Sequence, residues 1–184
     1  MRVVTGRSKG LRLKTPRASS VRPTSSLVKS AIFATLPPDA IEDARVLDLY
    51  AGTGALGIEA LSRGARSVDF VERDRRLCGS IRGNLEAAQG TEASQVLCAT
   101  VMKALDRLTG PYDLVLLDPP YGTTDVLEVL EQVERRGLLG DDATVVLEHA
   151  WRDKAIEPAG RLALQQTRRY GDTAVSYYQE VTPG

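Results

Sequence analysis

The chain has 184 residues, 42% of them hydrophobic and 26% charged, and its 24 Lys+Arg balance 24 Asp+Glu. That is the composition of a soluble globular protein with a full core. It excludes a membrane span, because no apolar run approaches the ~18 residues one needs, and a global field that would attract nucleic acid. Met1 to Gly6 lacks the apolar core of a signal peptide. Cys78 and Cys98 fit neither a metal spacing nor a disulfide framework, so both are expected to be reduced, in a cytoplasmic protein.

The charge is unevenly distributed. Residues 1–29 carry eight Lys/Arg (Arg2, Arg7, Lys9, Arg12, Lys14, Arg17, Arg22, Lys29) and no acid; the first acid is Asp39. A basic arm on an otherwise neutral domain is a footprint for a phosphate backbone. Within it, Arg2-Val3-Val4 and Leu11-Arg12-Leu13-Lys14 flank Gly6 to Gly10, which predicts a β-hairpin with a basic tip. Residues 16–23 form a loop. Thr24 or Ser25 is a candidate N-cap for a helix in which Leu27, Val28, Ala31, Ile32 and Leu36 recur at helical spacing, ended by Pro37-Pro38. The first 40 residues therefore form an extension ahead of a main domain spanning 41–184.

The main domain opens with the apolar strand 45–50. It runs into Ala51-Gly52-Thr53-Gly54-Ala55-Leu56-Gly57 and a helix that stops at Gly64. A second strand, 67–71, ends at Glu72. Leu77, Ile81 and Leu85 mark a helix, 95–98 a weaker strand, and Val101, Leu105 and Leu108 a short helix. The fourth strand, 113–117, is continuously apolar, as expected of a strand buried on both faces of a parallel sheet. A helix over 124–136 follows, with Leu127, Leu130 and Val133 inward and Glu131 paired to Arg135 on its surface. The fifth strand is 143–147. Residues 161–165 and 174–178 alternate, as a terminal antiparallel pair does. Five strands alternating with helices, then a hairpin, specify an α/β, mostly parallel, doubly wound sheet.

Two stretches carry chemistry. Gly52, Gly54 and Gly57 match G-x-G-x-x-G, and Glu72 follows Gly52 by 20 residues at the end of the next strand. That is a cofactor fingerprint in which the acid takes two ribose hydroxyls. The motif alone does not separate a nicotinamide dinucleotide from S-adenosylmethionine. Asp48, just before the loop, suits an ammonium and suits a pyrophosphate badly. The chain also leaves little room for a second domain to bring a hydride acceptor.

The other stretch is Asp118-Pro119-Pro120-Tyr121, directly after the fourth strand. Proline ends the ladder and holds the preceding residue extended. The result is a stiff hook presenting one acid and one ring at the sheet edge where α/β ligands bind. The Asp118 carboxylate and the Pro119 carbonyl can accept from an exocyclic NH2, and Tyr121 can stack on the base. His149 and Trp151, each the sole residue of its type, follow the fifth strand; His149 reads as structural. Arg168-Arg169 reads equally as RNA surface or as solvated charge. One of Tyr177 and Tyr178 is expected in the core.

With these elements together the chain resembles the RsmD-type methyltransferases, a bacterial family that methylates N2 of a guanine in 16S ribosomal RNA. The marks are the basic hairpin, Arg22-Pro23-Thr24 before a helix, Leu47 through Gly64, and Asp118 through Tyr121. The resemblance implies a class I Rossmann-like fold with a seven-stranded sheet, S-adenosyl-L-methionine as cofactor, no metal, and a monomer acting on small-subunit RNA or the assembling 30S particle. It places Asp48, Tyr50, Ala51, Gly52, Gly54, Glu72, Arg73, Thr100 and Val101 on the cofactor. Asp118, Pro119, Pro120 and Tyr121 fall at the catalytic centre, and Arg7, Lys9, Arg12, Arg22, Thr24 and Lys29 on RNA. This chain departs from the family pattern at Lys29-Ser30, where Arg-Glu is frequent, and at Thr100, where an Asp or Asn often meets the adenine amine. A DNA adenine-N6 methyltransferase, a protein glutamine methyltransferase and a non-catalytic RNA-binding domain remain as alternatives.

Overall fold

The computed structural model describes residues 1–16, 26–153, 156 and 160–180. The core is one seven-stranded sheet in the order β3-β2-β1-β4-β5-β7-β6. Its strands are β1 (Arg45–Leu49), β2 (Ser67–Glu72), β3 (Ser94–Cys98), β4 (Tyr112–Leu117), β5 (Leu139–Ala150), β6 (Leu162–Tyr170) and β7 (Thr173–Glu180). The first five pair in parallel, and β7 runs antiparallel between β5 and β6. The helices are α1 (Ser26–Thr35), α2 (Ala55–Ser62), α3 (Arg75–Ala87), α4 (Val101–Leu105) and α5 (Val126–Arg135). Among the described residues no helix is long and apolar enough to cross a membrane.

Strand alternation divides the core into two layers. Val46, Phe70, Leu114 and Val146 face a cluster that includes α1, α2 and α3. Leu47, Leu49, Val71, Val115 and Val145 face a second cluster with α4 and α5. Asp48 takes its turn on the first face, beneath the start of α2. Both faces of β7 are covered, because the two packing layers extend over it: Tyr177 joins the first cluster and Tyr178 the second. Tyr177 and Tyr178 are therefore both buried, where sequence alternation predicts one.

Three further expectations are corrected. Leu27 and Leu127 are exposed; α5 turns Val126, Val129, Leu130 and Val133 inward instead. The N-terminal hairpin pairs by a single bridge, Arg2 with Arg12, supported by backbone bonds between Val3 and Leu11 and between Gly10 and Val3. Cys78 and Cys98 are joined as a disulfide. Cys98 pairs in register with Glu72, and α3 starts just after Glu72, so the fold brings together two cysteines 20 residues apart. That proximity is tertiary and leaves no trace in their spacing.

Candidate active site

The two motif stretches meet where the sheet reverses its winding. β1 pairs with β4 in register, Leu49 opposite Leu117. The Asp118 N–H still donates to the Leu49 carbonyl, at 3.4 Å. The chain then leaves β1 through Tyr50 and leaves β4 through Asp118, so the glycine loop and the hook open on one crevice.

On the loop side, Gly52 and Gly54 hold positive φ of 58° and 79°. Tyr50 does so too, at 59°, a backbone state that costs a residue with a side chain ~1–3 kcal/mol and clusters at functional sites. Its hydroxyl reaches Asp125 at 3.4 Å. Burial and the Asp125 carboxylate push that phenol above its ordinary pKa. Gly57 is where α2 comes closest to β2: a Cβ there would lie 2.3 Å from the Phe70 ring. The contact lowers the start of α2 onto Asp48, whose Oδ2 accepts from the Gly57 N–H at 2.9 Å.

Asp48 is almost fully buried, and its Oδ1 has no hydrogen-bond partner among the described residues. Burial pushes its carboxyl up to about 8; the Gly57 N–H opposes this, and the charges of Asp118 and Glu72 add to it. Glu72 is held by two backbone donors, the N–H of Gly52 at 2.9 Å and of Asp74 at 2.8 Å. The loop and the acid are thereby fixed to each other. Ala51 is tied to Val71. Arg73 is exposed just past Glu72, Thr100 is exposed at the N-terminus of α4, and Val101 is buried behind it.

On the hook side, Pro119 is buried, Asp118 partly buried, and Pro120 and Tyr121 are exposed. The Tyr121 hydroxyl is 3.0 Å from Thr173 Oγ1, which anchors the ring to the end of β7. His149 has the structural role expected: Nε2 lies 2.9 Å from Ser176 Oγ.

The basic arm docks on α2. Glu59, fully buried, accepts from the N–H groups of Val4 and Thr5 at 2.8 and 3.0 Å. Ser62 bonds the backbone of Thr5, Arg7 and Ser8. Gly6 passes so close that a Cβ there would lie 1.7 Å from the Ser62 carbonyl oxygen. This leaves Arg7, Lys9 and Arg12 exposed. Arg22 and Thr24 lie outside the described residues. Lys29 is a correction: it is fully buried, with Nζ on Glu59 at 2.8 Å and on the Arg2 carbonyl at 2.7 Å. A solvent-inaccessible ammonium cannot meet a phosphate; it neutralises Glu59 instead.

One positioning residue is missing from the sequence reading. Asn84, buried on α3, accepts from the Lys14 N–H at 2.8 Å and donates to the carbonyls of Lys14 at 3.1 Å and Thr53 at 3.0 Å. It thus clamps the arm to the glycine loop. Its signal was a polar residue on the Leu77, Ile81, Leu85 face of the helix. Thr173, by contrast, left none.

The family model "Conserved hypothetical protein 95" matches residues 1–179. The YlbH protein of Bacillus subtilis (strain 168), which carries an rRNA methyltransferase name, is 36% identical over 98% of this chain and 99% of its own length. "Ribosomal RNA small subunit methyltransferase D" of Escherichia coli (strain K12) is 30% identical over 100% of this chain and 92% of its own. Among solved structures, the yhhF protein from Escherichia coli superposes with a TM-score of 0.89 at 28% identity, covering 98% of both chains. An RNA methyltransferase from Salinibacter ruber in complex with S-adenosyl-L-homocysteine, at 18% identity and a TM-score of 0.68, shares the fold. The fold is that of the Rossmann-like methyltransferases, and the chain belongs to the Conserved hypothetical protein 95 family, the RsmD-type family.

Proposed function

We propose that this protein methylates the exocyclic N2 of a guanine in small-subunit ribosomal RNA, using S-adenosyl-L-methionine. The observation that carries the reading is the in-register pairing of Leu49 with Leu117, which puts the acid-and-glycine loop beside the Asp-Pro-Pro-Tyr hook. The relatives' names support ribosomal RNA as the substrate class.

The residues fit the cofactor. The buried Oδ1 of Asp48, without a partner among the described residues, would take its ammonium, Glu72 would take its ribose hydroxyls, and Gly52 and Gly54 would allow close approach. Tyr50, Ala51, Arg73, Thr100 and Val101 complete the surround. When bound, the cofactor supplies an electrophilic methyl group on a sulfonium.

Guanine N2 is a weak nucleophile because its lone pair is delocalised into the ring. The Asp118 carboxylate and the Pro119 carbonyl accept from the N2 hydrogens and hold the nitrogen in a more pyramidal, reactive state. Pro119 and Pro120 keep both acceptors rigid. Tyr121, its hydroxyl held at Thr173, stacks on the base after it leaves its own stack. Positioning supplies most of the acceleration. Asp118 takes the proton that N2 releases. Arg7, Lys9 and Arg12 on the docked arm meet phosphates.

The test is to supply labelled S-adenosylmethionine with small ribosomal particles from cells lacking this protein, and to identify the labelled nucleoside. N2-methylguanosine supports the reading; label in another nucleoside overturns the guanine assignment.

A further inference from the structure

The crevice continues past the hook, on the side away from the glycine loop. There Tyr121, Ala150, Trp151, Arg152 and Asp172 line an open cavity of about 420 Å3. Among the described residues, Asp118 and the glycine loop do not border it, and Tyr121 is the residue it shares with the hook, so it adjoins the place where the methyl group is passed without coinciding with it.

Its walls have the chemistry of a base-stacking platform. Four large hydrophobic side chains are exposed among the described residues, Leu27, Tyr121, Leu127 and Trp151, and two of them line this one cavity. Trp151 is 45% exposed. The Arg169 guanidinium lies over its ring, 4.8 Å from the centroid, and is steadied by Nε donating to the Gly171 carbonyl at 2.8 Å. The walls are preset: the Trp151 backbone N–H donates to the Asp172 backbone carbonyl at 2.8 Å, and the Tyr121 hydroxyl is held at Thr173. Arg152, its side chain 80% exposed, stands on the rim. The charge is mixed, however. The acidic residue Asp172 borders the cavity, and Asp153 lies 3.9 Å from Arg152. Two aromatic rings, guanidinium groups and a carboxylate suit a heterocycle carrying an exocyclic amine, with its phosphate at Arg152. They suit a bare phosphate poorly.

We propose that this cavity takes a second unpaired nucleobase, that of a nucleotide flanking the target guanine in the same RNA strand. The base stacks on Trp151 and is read through its amine by Asp172. This rests on the RNA methyl-transfer reading and deepens it: the enzyme recognises a short single-stranded context as well as one flipped base. Arg169 then acts as a positioning residue, holding the indole.

The test uses the full chain with Trp151→Ala and Trp151→Phe, assayed on small ribosomal particles lacking the methyl group. Loss of one stacked base is expected to raise KM for the particle by about five- to a hundredfold. The turnover rate and the affinity for S-adenosylhomocysteine stay at wild-type values, and phenylalanine restores most of the loss. Trp151 is the sole tryptophan, so its fluorescence reports on this site alone. It should be quenched by a short guanosine-centred ribo-oligonucleotide, and not when the flanking nucleotides are abasic or when inorganic polyphosphate replaces the RNA. An unchanged KM in Trp151→Ala, or quenching that survives abasic flanks, overturns the proposal while leaving methyl transfer standing. A wild-type protein that neither binds RNA nor methylates particles overturns the underlying reading, and this one with it.

Discussion

Lys29 Nζ sits 2.8 Å from Glu59 Oε2, and neither side chain is reached by solvent. The pair joins α1 to α2, and the same carboxylate holds the backbone of Val4 and Thr5. The basic arm is therefore seated by a buried ion rather than by apolar contact alone. Removing Lys29 leaves the buried Glu59 carboxylate with Arg63 at 3.0 Å as its remaining partner cation among the described residues, so Lys29→Met is expected to cost ~3 kcal/mol, the lower end for a broken buried pair. Lys29→Met combined with Glu59→Gln, which removes the charge but keeps an acceptor for the Val4 and Thr5 N–H groups, should cost less than Lys29→Met alone. Urea unfolding of the wild type and these two variants measures this.

Burial raises the Glu59 carboxyl, but the hydrogen bonds from Lys29, Val4 and Arg63 outweigh it, and its pKa lies below the ordinary 4.5. For a lowered carboxyl, the stabilisation is full above the unfolded value and is lost as pH falls through the folded one. The wild type should therefore lose stability on acidification below about pH 4.5 more steeply than Glu59→Gln. Denaturation midpoints across that range check the difference.

Asp48 behaves in the opposite sense. Its pKa is raised from 3.8 to about 8, so between those values the folded protein holds a proton that the unfolded chain has released. Its contribution to stability thus falls as pH rises across that window. Asp48→Asn should flatten this slope and be the more stable protein at neutral pH. An ammonium bound beside Asp48 favours the carboxylate, so cofactor binding should release a proton near neutrality. Calorimetry of S-adenosylhomocysteine binding in buffers of different ionisation enthalpy would detect it. Asp48→Asn should bind more weakly and release none.

Asn84 couples the arm to the glycine loop through three hydrogen bonds. Each such bond contributes ~1 kcal/mol, and a buried orphan costs more. Asn84→Leu is expected to lose ~2–4 kcal/mol, to weaken both cofactor and RNA binding, and to expose the first residues to protease. Gly6→Ala should release the arm alone, since its Cβ would collide with the Ser62 carbonyl. RNA affinity should then fall while cofactor affinity holds.

Much of the architecture could be read from local pattern. The unbroken apolar run 114–117 and the two prolines after it announced a central strand and a hook, and the glycine spacing announced the crossover beside it. What local pattern could not carry were properties of tertiary environment. Lys29 read as one more cation of a basic arm because nothing near it in sequence reveals Glu59, thirty residues on. Leu127 fits the helical spacing, yet the sheet meets the face bearing Val126, Val129, Leu130 and Val133. Cys78 and Cys98 meet only because α3 follows the strand that pairs with β3. Asn84 was visible as a polar residue on an apolar helix face, but its partners come from the arm and the glycine loop.

Methyl transfer by Asp118→Ala, with S-adenosylhomocysteine affinity measured on the same preparation, tests the central claim most directly. If the hook positions guanine N2 while the loop holds the cofactor, N2-methylguanosine formation in small ribosomal particles drops by about a hundredfold or more and cofactor affinity is unchanged. Wild-type transfer by the variant, or label in another nucleoside, would contradict the assignment of the hook to guanine.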